Sequence, residues 1–145
     1  MKKIIFISFL IAIPTCNINA QTKTIAKSII NPTAVLKRFH EKNELDRMQK
    51  GDLVDLYIER INVITNKLPF IALTNKRGVT INDVGIPDNT ENNKILDKQQ
   101  QTIKTFLSET ENFERKLTPF ADKSDIVDAI LFCENILKEL RLIRE

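Results

Sequence analysis

The chain has 145 residues, 42% hydrophobic and 28% charged, with three Gly, five Pro, two Cys, one His and no Trp. This excludes collagen-like, disulfide-scaffold and low-complexity classes and leaves room for one ordinary domain. The formal net charge is +3, but Lys2 and Lys3 precede an apolar run; without them the 22 basic side chains fall to 20 against 19 acidic ones. A balance of +1 provides no basic face of the size that nucleic acid requires, so no nucleic-acid partner is expected.

Residues 1–20 carry the three parts of a secretory signal: Lys2 and Lys3, the uncharged run at 4–13, then Pro14 and a polar stretch ending at Ala20. The run is shorter than the ~20 apolar residues needed to cross a bilayer. Cleavage is therefore expected, giving a signal peptide at 1–20 and a single helical domain at 21–145. Cys16 offers an alternative. It lies where a bacterial lipoprotein carries its acylated first residue, although Thr15 stands where Gly or Ala is usual. Lipidation of Cys16 is the one route to membrane contact; otherwise the protein is expected to be exported and periplasmic. Loss of the signal leaves Cys133 as the only thiol, so no intrachain disulfide is expected.

Helical periodicity dominates the rest of the chain. Asn31 and Pro32 form a helix start, predicting a first helix to Met48 that buries Val35, Leu36, Phe39, Leu45 and Met48. Asp52 is the expected cap of a second helix whose buried stripe is Leu53, Tyr57, Ile61, Ile64 and Leu68, widened by Val54 and Ile58 and ended by Pro69. Asp88, Asn89, Thr90 and Glu91 open the longest helix. Its heptad seam is Leu96, Gln99, Ile103, Phe106, Thr110, Phe113 and Leu117, stopped by Pro119. Ser124 or Asp122 caps the last helix, where Ile126, Ile130, Cys133, Leu137 and Leu140 form one stripe and Asp128, Glu134, Lys138, Glu139 and Arg141 face outward. This helix is apolar over more than half its circumference, which predicts a central position or a second apolar face for a partner. The expected fold is all-α, a three- or four-helix bundle with a long irregular connection at about 69–88.

Catalytic and cofactor signatures are missing from this pattern. The single His40, flanked by Arg38, Glu41 and Lys42, reads as an exposed structural residue, and no Cys pair has metal-ligand spacing. Cys133, amid Leu131, Phe132, Ile136 and Leu137, reads as a core residue rather than a nucleophile. Asp122, Asp125 and Asp128, with Glu109, Glu111 and Glu114, are the only carboxylate sets for acid–base work. The first two suit a helix start without any catalytic role. No metal, no cofactor and no enzymatic activity are expected.

The connection is longer than the ~2–8 residues usual in bundles, and long connections are often functional. Phe70, Lys76, Arg77, Asn82 and Asp83 are accordingly the candidate partner-binding residues, and Arg60 with Lys76 and Arg77 forms a candidate anion site. The leading expectation is a non-enzymatic interaction or assembly protein of the bacterial envelope with protein partners, such as an accessory subunit of a secretion apparatus. The alternative is a periplasmic inhibitor or immunity protein that blocks a toxin or cell-wall hydrolase.

Overall fold

A computed structural model describes residues 27–142. The expected signal, its cleavage point and Cys16 lie outside these residues. Among the described residues four α-helices follow one another: α1 (Lys42–Leu45), α2 (Lys50–Lys67), α3 (Thr90–Leu117) and α4 (Lys123–Leu142), with 3-10 turns at Leu68–Phe70, Asn82–Val84 and Thr118–Phe120. The fold is mostly helical, as the periodicity implied. Among the described residues there is no strand, only an isolated antiparallel bridge between Ser28 and Thr80.

The first helix does not form as predicted. Asn31 caps a tight turn instead, its Oδ1 accepting from the backbone N–H of Thr33 at 3.0 Å and from the Thr33 hydroxyl at 2.8 Å. Beyond the turn, buried Ala34 and Leu36 alternate with exposed Val35 and Lys37, the period of extended chain. Helical structure is confined to the single turn α1. Its capping box pairs the Glu41 and Glu44 side chains with each other's backbone N–H groups.

Helix α2 is the hub: both α3 and α4 pack on it. Of the two expectations for α4, the central position is corrected accordingly, while the helix does leave Phe132 66% exposed. The buried side of α2 consists of Leu53, Val54, Arg60, Val63 and Asn66, so the stripe is rotated from the one predicted. Tyr57, Ile61 and Ile64 sit at its margins, and Leu68 is 53% exposed. The helix starts at Lys50, with Gly51 in its first turn and Gln49 as N-cap. Asp52 is therefore inside the helix, where its charge complements the N-terminal dipole rather than capping the end.

Three apolar clusters hold the fold. Leu45, Leu53, Val54, Ile126, Val127 and Ile130 join α1, α2 and α4 at one end. Leu36, Val63, Leu137 and Leu140 join the extended segment to the opposite ends of α2 and α4. Ile29, Ile30, Phe70, Ile81, Leu96 and Ile103 attach α3 through the connection. That connection is long and irregular, as expected, and it belongs to the core. Ile29 donates to the Val79 carbonyl at 2.8 Å, and Gly85 closes the second 3-10 turn at φ +79°, a conformation open to glycine.

Asn89, rather than Asp88, is the N-cap of α3; its side chain accepts from the Asn92 N–H at 2.8 Å. Asn89→Ala is expected to lower stability by about 1 kcal/mol, read as a shift in the urea midpoint with an unchanged slope.

Candidate functional site

The predicted partner-binding residues divide between core and surface. Phe70 is 5% exposed and packs with Ile29, Ile81 and Leu96, so it is a core residue rather than a contact for a partner. Lys76 and Arg77 are exposed, and so are Asn82 and Asp83. The Asp83 carboxylate accepts from both the backbone N–H and the hydroxyl of Thr80 at 2.8 Å. Those bonds, the backbone one foremost, hold its pKa below the ordinary carboxylate value. Asp83 thus pins a turn. The candidate anion site is also revised, because Arg60 is fully buried and far from solvent. The charges of Arg141 and Arg77 both act instead on Lys67. Burial, and then these two guanidinium charges, push the Lys67 pKa down.

The expectations of an exposed His40 and an outward Glu134 are overturned together. His40 is 7% exposed, and Arg60 and Glu134 have no exposed surface. Arg60 donates from Nη2 to Glu134 Oε1 at 2.7 Å, from Nε to the same oxygen at 3.2 Å, from Nη1 to Glu59 Oε2 at 2.6 Å and from Nη2 to the Arg38 carbonyl at 3.1 Å. The second Glu134 oxygen accepts the His40 backbone N–H at 2.9 Å. Arg60 Nη2 also lies 2.7 Å from His40 Nδ1. A guanidinium can only donate, so Nδ1 accepts and the ring proton resides on Nε2. The 3.3 Å approach of Nδ1 to Glu134 Oε1 then joins two acceptors and is no hydrogen bond. The cluster clamps the extended segment onto α2 and α4. Sealed from solvent, it is a structural joint without access for a substrate.

The spacing contained a sign of this joint. Arg60 stands seven residues after Leu53 and three before Val63; Glu134 stands seven after Val127 and three before Leu137. Both positions belong to a buried helical stripe, and a charge there requires a partner.

Among the described residues, the predicted carboxylates are exposed or engaged in local hydrogen bonds. Asp122, Asp125 and Asp128 are exposed, as is Glu109. Glu111 accepts from Arg115 at 2.9 Å, and Glu114 accepts from the Thr118 hydroxyl. Among the described residues, no three His, Cys, Asp or Glu side chains lie close enough to hold a metal ion. Cys133 is buried, and desolvation raises its thiol pKa above the ordinary 9.0. The stability this contributes is fully present below 9.0 and is lost above it, as the pH rises through the raised folded value. At neutral pH a thiol reagent is expected to leave Cys133 unlabelled in the folded protein and to label it fully in urea, with the modified peptide identified by mass.

Two surface features remain. A groove of about 1190 Å³ runs between the N-terminal segment, α2 and α3, lined by Ser28, Asn62, Asn66, Phe70, Gln100 and Lys104 among others. Its amides are engaged in holding the fold: Gln100 donates to the Ser28 and Ile29 carbonyls at 2.9 Å, and Asn66 donates to the Asn62 carbonyl at 2.9 Å.

The other feature is an apolar ridge. Of the predicted heptad seam, only Leu96 and Ile103 are buried; Phe106, Phe113 and Leu117 are 52%, 55% and 52% exposed. Phe120, three residues beyond Leu117, is 86% exposed. It lies in the 3-10 turn that directly continues α3. The seam stays exposed because it runs along a flank of α3 rotated from the side that packs through Leu96, Ile103 and Leu107, while Arg115 holds the C-terminal half of the helix to Asp55 of α2 at 2.6 Å.

No helix among the described residues is long and apolar enough to cross a membrane. Compared with protein-family models, curated proteins and solved structures, the chain matches none of them.

Proposed function

We propose that this chain is a non-enzymatic, exported interaction protein of the bacterial cell envelope, an accessory subunit of an assembly such as a secretion apparatus. The observation that carries the reading is the ridge Phe106, Phe113, Leu117 and Phe120. Contiguous apolar surface of this kind is unfavourable in water and marks contact sites. The N-terminal sequence supplies the argument for export. The alternative, an inhibitor or immunity protein, draws on Lys76 and Arg77 in the exposed loop and on Lys67 and Arg141 beside it. None of these four cations takes part in an ion pair among the described residues.

Two double variants separate the readings. Phe113→Ser with Phe120→Ser is expected to abolish co-purification with envelope components while the helical circular dichroism stays native. Lys76→Glu with Arg77→Glu is expected to leave co-purification intact. The reverse pattern favours the inhibitor reading.

A further inference from the structure

We propose that the occupant of the ridge is a second copy of this chain, docked by its own α3 in antiparallel orientation about a two-fold axis between residues 112 and 113. The inference rests on the reading of the ridge as an interface and adds the identity and register of what covers it.

The geometry starts from the helix period. At about 100° per residue, Phe106, Phe113 and Leu117 fall within ~40° of one another, whereas Leu96 and Ile103 lie ~60–80° from the middle of the ridge, round toward the body. On the opposite, outward margin of the ridge, ~40–60° from Phe113, stand Glu109 and Lys116. Neither of these has an ion-pair partner among the described residues, although the neighbouring Arg115 is bound to both Asp55 and Glu111.

Opposite charges seven residues apart on one margin are self-complementary in one antiparallel register. A two-fold axis midway between them sets Glu109 of each copy against Lys116 of the other, forming both pairs at once. The same register centres Phe113 on Phe113. It also sets Phe106 against the turn that carries Phe120. Every exposed apolar residue of the ridge then meets another across the axis, and no charge is buried unpaired. A parallel two-fold would carry this margin to the opposite side of the interface and leave Glu109 and Lys116 without each other.

The area is adequate. Three Phe side chains and one Leu at these exposures present on the order of 450 Å² per copy. That is more than half of the ~800 Å² each partner contributes to a standard interface, before the stems of Glu109 and Lys116 are added.

The test is the solution mass of the full chain, expressed with its own N-terminus and measured by light scattering from micromolar to sub-millimolar concentration. Wild type is expected to reach the dimer mass. Phe113→Glu is expected to remain monomeric with unchanged helical circular dichroism. Lys116→Glu, which opposes two carboxylates at each end, is expected to weaken dimerisation about tenfold. Adding Glu109→Lys restores it, a rescue available only in the antiparallel register. A wild-type monomer throughout the range, a dimer unaffected by Phe113→Glu, or a double variant no tighter than Lys116→Glu overturns the proposal. If wild type is monomeric while the Phe113 and Phe120 variants still lose an envelope component, self-pairing fails and the ridge stands as an interface for another protein. If those variants lose nothing, both readings fail.

Discussion

Glu134→Ala is expected to destabilise the protein by about 3–5 kcal/mol, a large share of the ~5–15 kcal/mol that holds a domain of this size. The side chain is fully buried, and its removal strands the Arg60 guanidinium, which has no exposed surface and relies on Glu134 Oε1 at 2.7 Å for its shortest bond across the helix interface. It also releases the His40 backbone N–H, bound at 2.9 Å by the other oxygen. Truncating one member of a buried pair is far more damaging than replacing the pair, because the survivor keeps its desolvation penalty and loses its attraction. Glu134→Gln, which retains an acceptor for His40, is expected to lose less. Urea unfolding followed by circular dichroism reads both, and an unchanged midpoint for Glu134→Ala contradicts the clamp.

Phe70→Ala has the second large effect, an expected loss of about 3–5 kcal/mol from transfer and cavity terms combined. Phe70 packs with Ile29, Ile81 and Leu96, and through them it ties the connection and the N-terminal segment to α3. Lys76→Ala and Arg77→Ala, a few residues on and exposed, are expected to stay within about 0.5 kcal/mol of wild type. The contrast separates the two roles of one connection: its apolar start is structural, and only its tip is available to a partner. Equal effects from all three variants would contradict that division.

The parts of the fold that sequence reasoning found are those governed by local rules. Pro69 and Pro119 each fall in a 3-10 turn at the end of a helix, where a missing donor and a fixed φ place them. The stripe Ile126, Ile130, Cys133, Leu137 and Leu140 is buried as the period of α4 implies. The errors arise where tertiary contacts decide. The segment after Asn31 has apolar residues compatible with helix, yet it stays extended because Leu36 and His40 meet a surface made by distant parts of α2 and α4. His40 and Glu134 are 94 residues apart, a pairing no local pattern encodes. For the candidate site, Lys76 and Arg77 were legible as exposed loop cations, whereas the ridge was concealed by its own regularity. A heptad seam indicates a surface to be covered and is silent on whether the chain itself covers it. Only the structure reveals that Phe106, Phe113 and Leu117 lie on a flank of α3 that the chain leaves exposed.

Site-directed photo-crosslinking in the host cell tests the central claim most directly, with a benzoylphenylalanine in place of Phe113 in one strain and of Lys76 in another. Adducts formed from position 113 and none from position 76 are the predicted result, with an adduct at twice the chain's own mass identifying the second copy. Adducts from position 76 alone, or from neither position, would contradict the account.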